Sequence, residues 1–333
     1  MEILKVAGLY AAGVIGAGFA SGQELVQFFS RYGLVGLFGV GLSTLALTLG
    51  CGYILEYCHQ KKVDSYGTLI ESISARIGHL VDLVYTGFLL VGTGVMLAGA
   101  GELFSTLGSS LTGSYVTALL LVLVLLGGTE RVLKLSTSLT PILLGVLFCT
   151  SARYLIVHGI TIPIEIKAEG VGASILYASY NLAFSLAVLA GVHQLLNTRI
   201  QRWQMAVLGN LPLGLVMLLL VLTLWSLPPN QQRDAIPLLH AAADWSIATF
   251  RLYRIALWGS MYTTALANSF ALAQRLSTQM NLNWSVAAVT VVGAAAASSH
   301  LGFIFLIRLM YPLLGMAGLY LLILMWKSLQ KQS

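Results

Sequence analysis

The chain has 333 residues, a length at which a soluble protein divides into about two domains. Its composition excludes that class: residues AVILMFWYC make up 57%, charged residues only 9%, and mean hydropathy is +0.85. So few charges cannot solvate a protein surface, so most of it must face lipid, and the net charge of +6 is no nucleic-acid footprint.

The same numbers exclude a disordered chain and a disulfide scaffold. Cys51, Cys58 and Cys149 form no CxxC, and Cys51 and Cys149 lie inside apolar runs. They read as packing residues. The first apolar run has no basic n-region and no A-x-A site, so no cleavable leader is expected.

Apolar runs predict about ten transmembrane helices, over 4–30, 33–57, 79–107, 113–128, 131–157, 170–195, 202–226, 245–275, 283–299 and 301–326. With the N-terminus inside, the inner loops carry Lys5, Lys61, Lys62, Arg76, Arg131, Lys134, Arg199, Arg202, Arg275, Lys327 and Lys331. The outer loops carry Arg31, Arg153, Lys167 and Arg233. That asymmetry predicts two cytoplasmic termini.

Segments 65–77 and 235–244 are long enough for short helices on the membrane surface, and each follows the second span of its half. This predicts an internal repeat, 1–157 against 170–326, inside one transporter domain of 1–333. Five spans is an odd number, so the second repeat enters the membrane upside down. Inverted repeats of this kind point to a secondary transporter.

Residues 12–24 read Ala-Gly-Val-Ile-Gly-Ala-Gly-Phe-Ala-Ser-Gly-Gln-Glu. Gly13, Gly16, Gly18 and Gly22 crowd the middle of the first span. Such glycines serve close helix packing, or they mark an unwound segment from Gly16 to Ser21. Ser21 and Glu24 have the spacing of a capping box, the signature of a helix start, which favours the break. Glu24 then reads in two compatible ways. It caps the second half-helix, or it binds a proton, a cation or a substrate amine.

The run GAGFASGQELVQFF at 16–29 resembles the first-helix signature of the YkvI-type family of bacterial membrane proteins. The ten-span pattern and the Tyr311-Pro312-x-x-Gly315 run resemble that family as well. The family is similar to the amino acid–polyamine–organocation superfamily, with its LeuT-type five-plus-five inverted repeat. The resemblance implies an all-α membrane protein of the bacterial cytoplasmic membrane. Its implied function is secondary transport of an amino acid or related small organic solute. Substrate would lie between the first and sixth helices, at Gly16, Ala17, Gly18, Phe19, Ala20, Ser21, Gly22 and Glu24, and at Ser179, Tyr180 and Asn181.

The sixth span holds no Gly or Pro around Leu176–Asn181, so a break there is less evident. Its polar residues are ligand contacts or interhelical hydrogen bonds. Tyr85, with Phe19, Tyr177 and Tyr180, either lines a pocket or packs in the core. In the eighth span, Ser260, Thr263, Thr264 and Asn268 share one helical face. LeuT-type symporters place sodium between such hydroxyls and the first helix. By that resemblance, the carbonyls of Ala12, Ile15 and Ser260 and the hydroxyls of Thr263 and Thr264 would hold sodium. Oxygen donors without a carboxylate suit a monovalent hard cation. Alternatively, the threonines bond their own helix. Lys134, in the fifth span, reads as a snorkelling interface residue. Proton coupling through Glu24, or a solute sensor that does not transport, are the other readings. Arg308, in the tenth span, is not expected to face lipid and needs a partner or water. The chain has no GxxxxGK, HExxH, GxSxG or Cys/His cluster, so no enzyme, no cofactor and no ATP motor are expected.

Overall fold

A computed structural model describes residues 2–63, 66–73, 78–105, 109–127 and 140–330. Among these residues every regular element is a helix. The first span comprises α1 (Glu2–Val14), α2 (Ala17–Ser21) and α3 (Gln23–Phe28). Next come α4 (Leu34–Gln60), the short α5 (Tyr66–Ile73), α6 (Gly78–Phe104) and α7 (Ser110–Leu126). The chain continues through α8 (Thr140–His158), α9 (Gly170–Val192), α10 (Arg199–Ser226), α11 (Pro229–Gln232) and α12 (Leu238–Trp245). It ends with α13 (Ile247–Met280), α14 (Trp284–Ser299) and α15 (Phe303–Gln330).

Among the described residues, four helices are long and apolar enough to cross a membrane, at Leu34–Gln60, Leu83–Phe104, Arg199–Ser226 and Phe303–Ser328. A fifth candidate, Gly170–Leu186 with Val188–Leu195, is bent by 51°. The bend lies well past the polar run at 176–181. Shorter apolar helices occupy Ser110–Leu126, Ile142–His158 and Trp284–Ser299. The outward faces are apolar at helical spacing. On α4, Phe38, Leu42, Leu45 and Leu49 are all exposed. In water such a stripe is an aggregation liability; in lipid it is the expected exterior. The protein is a multi-pass helical membrane protein.

Contacts at the helix ends fix the two faces of the bundle. Arg202 on α10 pairs with Glu56 at the end of α4, and Trp284 Nε1 donates to the Leu125 carbonyl. Those residues share a face with the N-terminus. On the other face, Arg153 of α8 pairs with Asp244 of α12, and Lys167 Nζ donates to the Arg31 carbonyl. The segment leading into α9 also meets the start of α4 there, through an antiparallel bridge from Ile166 to Gly33. We call these the N-terminal face and the α12 face.

The helices sort into two packed groups. In one, α4 packs against α9 and α10, and α1 against α9 and α10. In the other, α6 packs against α7, α13 and α14. Two helices join them: α15 lies along α9 and touches α6, and α8 packs on both α10 and α13. Gly315 and Gly318 permit the approach of α15, since a Cβ on either would fall within 2.7 Å of the Leu176 or Ser179 carbonyl oxygen. Arg308 is exposed on α15. Lys134 lies outside the described residues.

Candidate functional site

The first span is broken, and in more detail than the capping-box spacing implies. α1 ends at Val14, and Ile15 and Gly16 are non-helical. Residues Ala17–Ser21 make a short turn of helix, so the expected unwound stretch is partly wound. The second break is Gly22, at φ 92° in the left-handed region, where a side chain would also strike Leu238. Ser21 Oγ accepts from the Gln23 amide and donates to the Gly18 carbonyl. No side chain caps the start of α3, so the reciprocal capping box does not form.

Glu24 instead turns back across the break. Its carboxylate packs on Gly18, where a Cβ would overlap Oε1. Tyr180 of α9 donates its hydroxyl to Oε2 at 2.5 Å. Glu24 is 2% exposed, so this bond replaces solvent for a group that is costly to bury.

A cavity of about 200 Å³ opens beside this carboxylate, between the two helical groups. The first span lines it with Leu9, Gly13, Val14, Gly16 and Glu24. α9 contributes Tyr180, Asn181, Phe184 and Val188, and α15 contributes Tyr311. From the second group come Gly92 and Met96 of α6 and Ser260, Thr263, Thr264, Ala267 and Asn268 of α13. Leu9, Gly13, Val188, Ala267 and Asn268 lie on the N-terminal-face side of the break. The α12 side is covered. Gln23 Nε2 donates to the Asp234 carbonyl at 2.5 Å, Tyr253 to the Ala20 carbonyl at 2.7 Å, and Trp225 to the Ser30 carbonyl at 2.8 Å.

The structure thus brings Gly16, Glu24, Tyr180, Asn181, Ser260, Thr263 and Thr264 to one cavity. Gly18, Phe19, Ala20, Ser21 and Gly22 form the wall behind Glu24 and are not among its lining residues; Ala17 belongs to the same turn. Ser179 lies behind its helix, bonded to the Ile175 carbonyl and packed on Gly318. Tyr85 is buried away from the cavity. Tyr85 lies on the same face of α6 as Gly92 but two turns, about 10 Å, before it, below the cavity on the N-terminal-face side. Gly92 and Met96 carried no chemical signal in sequence, and neither did Phe184.

At the proposed cation position, Ser260 Oγ lies 3.5 Å from the Ile15 carbonyl. Thr263 Oγ1 donates to the Ser260 carbonyl at 3.1 Å. Ala12 lies on the last turn of α1, just before the break.

No protein-family profile matches the chain. It is 25% identical over 331 residues to the uncharacterised membrane protein YkvI of Bacillus subtilis, covering 95% of this chain and 92% of that one. It is 24% identical over 333 residues to YyaD of the same organism, covering 95% and 93%. Among solved structures, the inward-facing conformation of Mhp1 superposes with a TM-score of 0.69 at 12% identity, over 97% of this chain and 75% of that one. The Eremococcus coleocola manganese transporter, in complex with an aromatic bis-isothiourea substituted compound, gives 0.50 at 14% identity, over 98% and 75%. The chain is homologous to the YkvI-like membrane proteins along nearly its whole length and has the fold of LeuT-type transporters.

Proposed function

We propose that the protein is a secondary transporter that moves a small organic solute, of about amino-acid size, by alternating access. The observation that carries this reading is the cavity at the broken first helix. It lies between two separately packed helical groups and is covered on the α12 face only. Alternating access requires such a site at the seam between two bodies that rock. The reading takes the ten-span, five-plus-five inverted repeat of 1–157 and 170–326, with both termini cytoplasmic. On that orientation the cavity faces the cytoplasm, in keeping with the inward-facing Mhp1 conformation it resembles.

In this reading sodium is the coupling ion, held by α13 against the end of α1. Two oxygens 3.5 Å apart, Ser260 Oγ and the Ile15 carbonyl, suit ligands at about 2.4 Å subtending about 90°. The hydroxyls of Thr263 and Thr264 and the carbonyls of Ala12 and Ser260 complete the set. A second reading puts a proton on Glu24 in sodium's place. It is favoured by the depth of that carboxylate and its bond to Tyr180.

Purified protein screened for thermal stabilisation by amino acids, amines and neutral solutes, each in sodium and in potassium, tests the proposal. A solute effect that needs sodium is expected. The same solute must then exchange across proteoliposome membranes. Binding without exchange would leave a sensor.

A further inference from the structure

Tyrosine hydroxyls aside, Glu24 is the one ionisable group among the described residues that line the cavity. That charge balance restricts what the cavity can hold. A buried carboxylate with no cationic side chain beside it needs a proton or a cationic ligand.

The surroundings of Glu24 sharpen the restriction. Glu24 Oε1 lies against Gly18 at the break, so an internal carboxylate already occupies the backbone turn that a ligand's carboxylate would seek. A second anion there would meet like charge in a low-dielectric site. Aromatic rings stand beside Glu24. The Tyr180 and Tyr311 rings are 4.9 Å apart, the Tyr180 and Phe184 rings 6.2 Å, and all three line the cavity. Aromatic rings beside a carboxylate suit an ammonium and gain little from an anion.

We infer that the cavity takes a small organic cation, an alkylammonium that carries no carboxylate of its own, and that Glu24 exchanges its proton for this ligand. The inference rests on the cavity being the solute site proposed above. In the exchange, the O–H bond of the Glu24 carboxylic acid breaks and the proton leaves to water on the N-terminal face. The carboxylate then accepts an N–H bond from the ammonium, so charge in the site is conserved. Tyr180 keeps Oε2, and Oε1 is left for the ligand. The titratable groups around Glu24 are the phenols of Tyr177 and Tyr180 on α9 and Tyr311 on α15. α6 and α13 face the cavity with uncharged side chains, Met96, Ser260 and Thr264 among them. Glu24 is therefore the group that exchanges. A volume of about 200 Å³ admits a ligand of a few heavy atoms.

The test uses the full chain in detergent, lightly buffered, with a pH dye. The probes are butylammonium and methylammonium, with butanol as the neutral comparison and butyrate as the anionic one. Butylammonium should raise the melting temperature and release about one proton per molecule bound. Its apparent affinity should fall about tenfold per pH unit on the acid side. Butanol and butyrate should do neither. E24Q should lose both stabilisation and proton release, while Y180F should bind about tenfold more weakly. If E24Q does not fold, the proton count of the native protein and Y180F decide. The inference is overturned if butyrate binds, if neither cation shifts the melting temperature, if cation binding releases no proton, or if E24Q binds butylammonium unchanged. Proton-linked binding without uptake into proteoliposomes would sink the transport reading and leave this one standing. Uptake of an anionic or neutral solute by native protein and E24Q alike would do the reverse.

Discussion

Tyr180 donates its hydroxyl to Glu24 Oε2 at 2.5 Å, across 156 residues of sequence, and this bond joins the broken first span to α9 at the edge of the cavity. Both residues are nearly fully buried. The bond sets the position of the one carboxylate in the cavity lining, so whatever moves α9 relative to the break also moves that charge.

Glu24 reaches its position only because residue 18 has no side chain. In G18A the new Cβ overlaps the Glu24 carboxyl, and the obstacle is the end of a side chain, which can swing aside. The substituted protein should therefore fold, with a melting temperature within a few degrees of native. It should lose at least about tenfold in solute affinity, equivalent to about 1.4 kcal/mol. G8A is the control, because its Cβ meets nothing within 4 Å. Equal affinity in G18A and native protein would show that the carboxylate's placement is irrelevant to the site.

The hydroxyls of α13 differ in what they offer a cation. Ser260 Oγ sits at the long distance of 3.5 Å from the Ile15 carbonyl, while Thr263 is already bonded within its own helix at 3.1 Å. Thr264 lines the cavity. S260A and T264A should each weaken sodium-dependent stabilisation about tenfold or more, leaving stability in potassium unchanged. T263V removes the hydroxyl without opening a cavity and should act likewise. Sodium dependence that survives S260A together with T264A would remove the ion from this position.

Much of this arrangement was legible in sequence because it rests on spacing. The glycines at 13, 16, 18 and 22 placed the break, and the period of α13 placed Ser260, Thr263 and Thr264 together. What sequence missed depends on depth and partner. Tyr85 shares a helical face with Gly92, and nothing local shows that the cavity lies two turns further along α6. Ser-x-x-Glu reads as a capping box, yet Gly22 in the left-handed region ends the turn between Ser21 and Glu24. That frees Glu24 to pack on Gly18 and meet Tyr180. The link between Glu56 and Arg202 was invisible because each residue, read alone, is an ordinary charge at a span end.

On the α12 face, Asp244 ties the covering helix to the end of α8. It pairs with Arg153 at 3.0 Å and His158 at 3.0 Å, and the Arg153 guanidinium also lies over the Trp245 ring. Partial burial raises the Asp244 acid, but the hydrogen bonds and charges of His158 and Arg153 outweigh it and hold the carboxyl below its ordinary value of 3.8. A lowered value means the contact contributes fully above the ordinary value and is lost as pH falls through the lower folded one. The side chains are about one-third exposed, so the contribution is at most about 1 kcal/mol. Hydrogen exchange of Leu238–Trp245, corrected for intrinsic rates, should rise from pH 6 to pH 3. In D244N it should already be raised at pH 6. Exchange that is identical in native protein and D244N at both pH values would show that the pair does not hold α12.

The Arg202–Glu56 pair, by contrast, is enclosed. Arg202 donates through Nε and Nη2 to the two Glu56 oxygens at 2.8 and 3.2 Å, and through Nη1 to the Leu196 carbonyl at 3.0 Å. The side chains are 5% and 15% exposed. E56Q leaves a buried guanidinium facing a neutral amide, which should destabilise the protein by about 3–5 kcal/mol. Replacing both partners with apolar residues, E56M with R202M, removes the uncompensated charge and should recover most of that loss. The pair lies within one helical group, between α4 and α10, and not across the seam that holds the cavity. A stable double variant should therefore keep native solute affinity. If the double variant is stable but binds solute poorly, the pair positions the cavity and the two-body division is wrong.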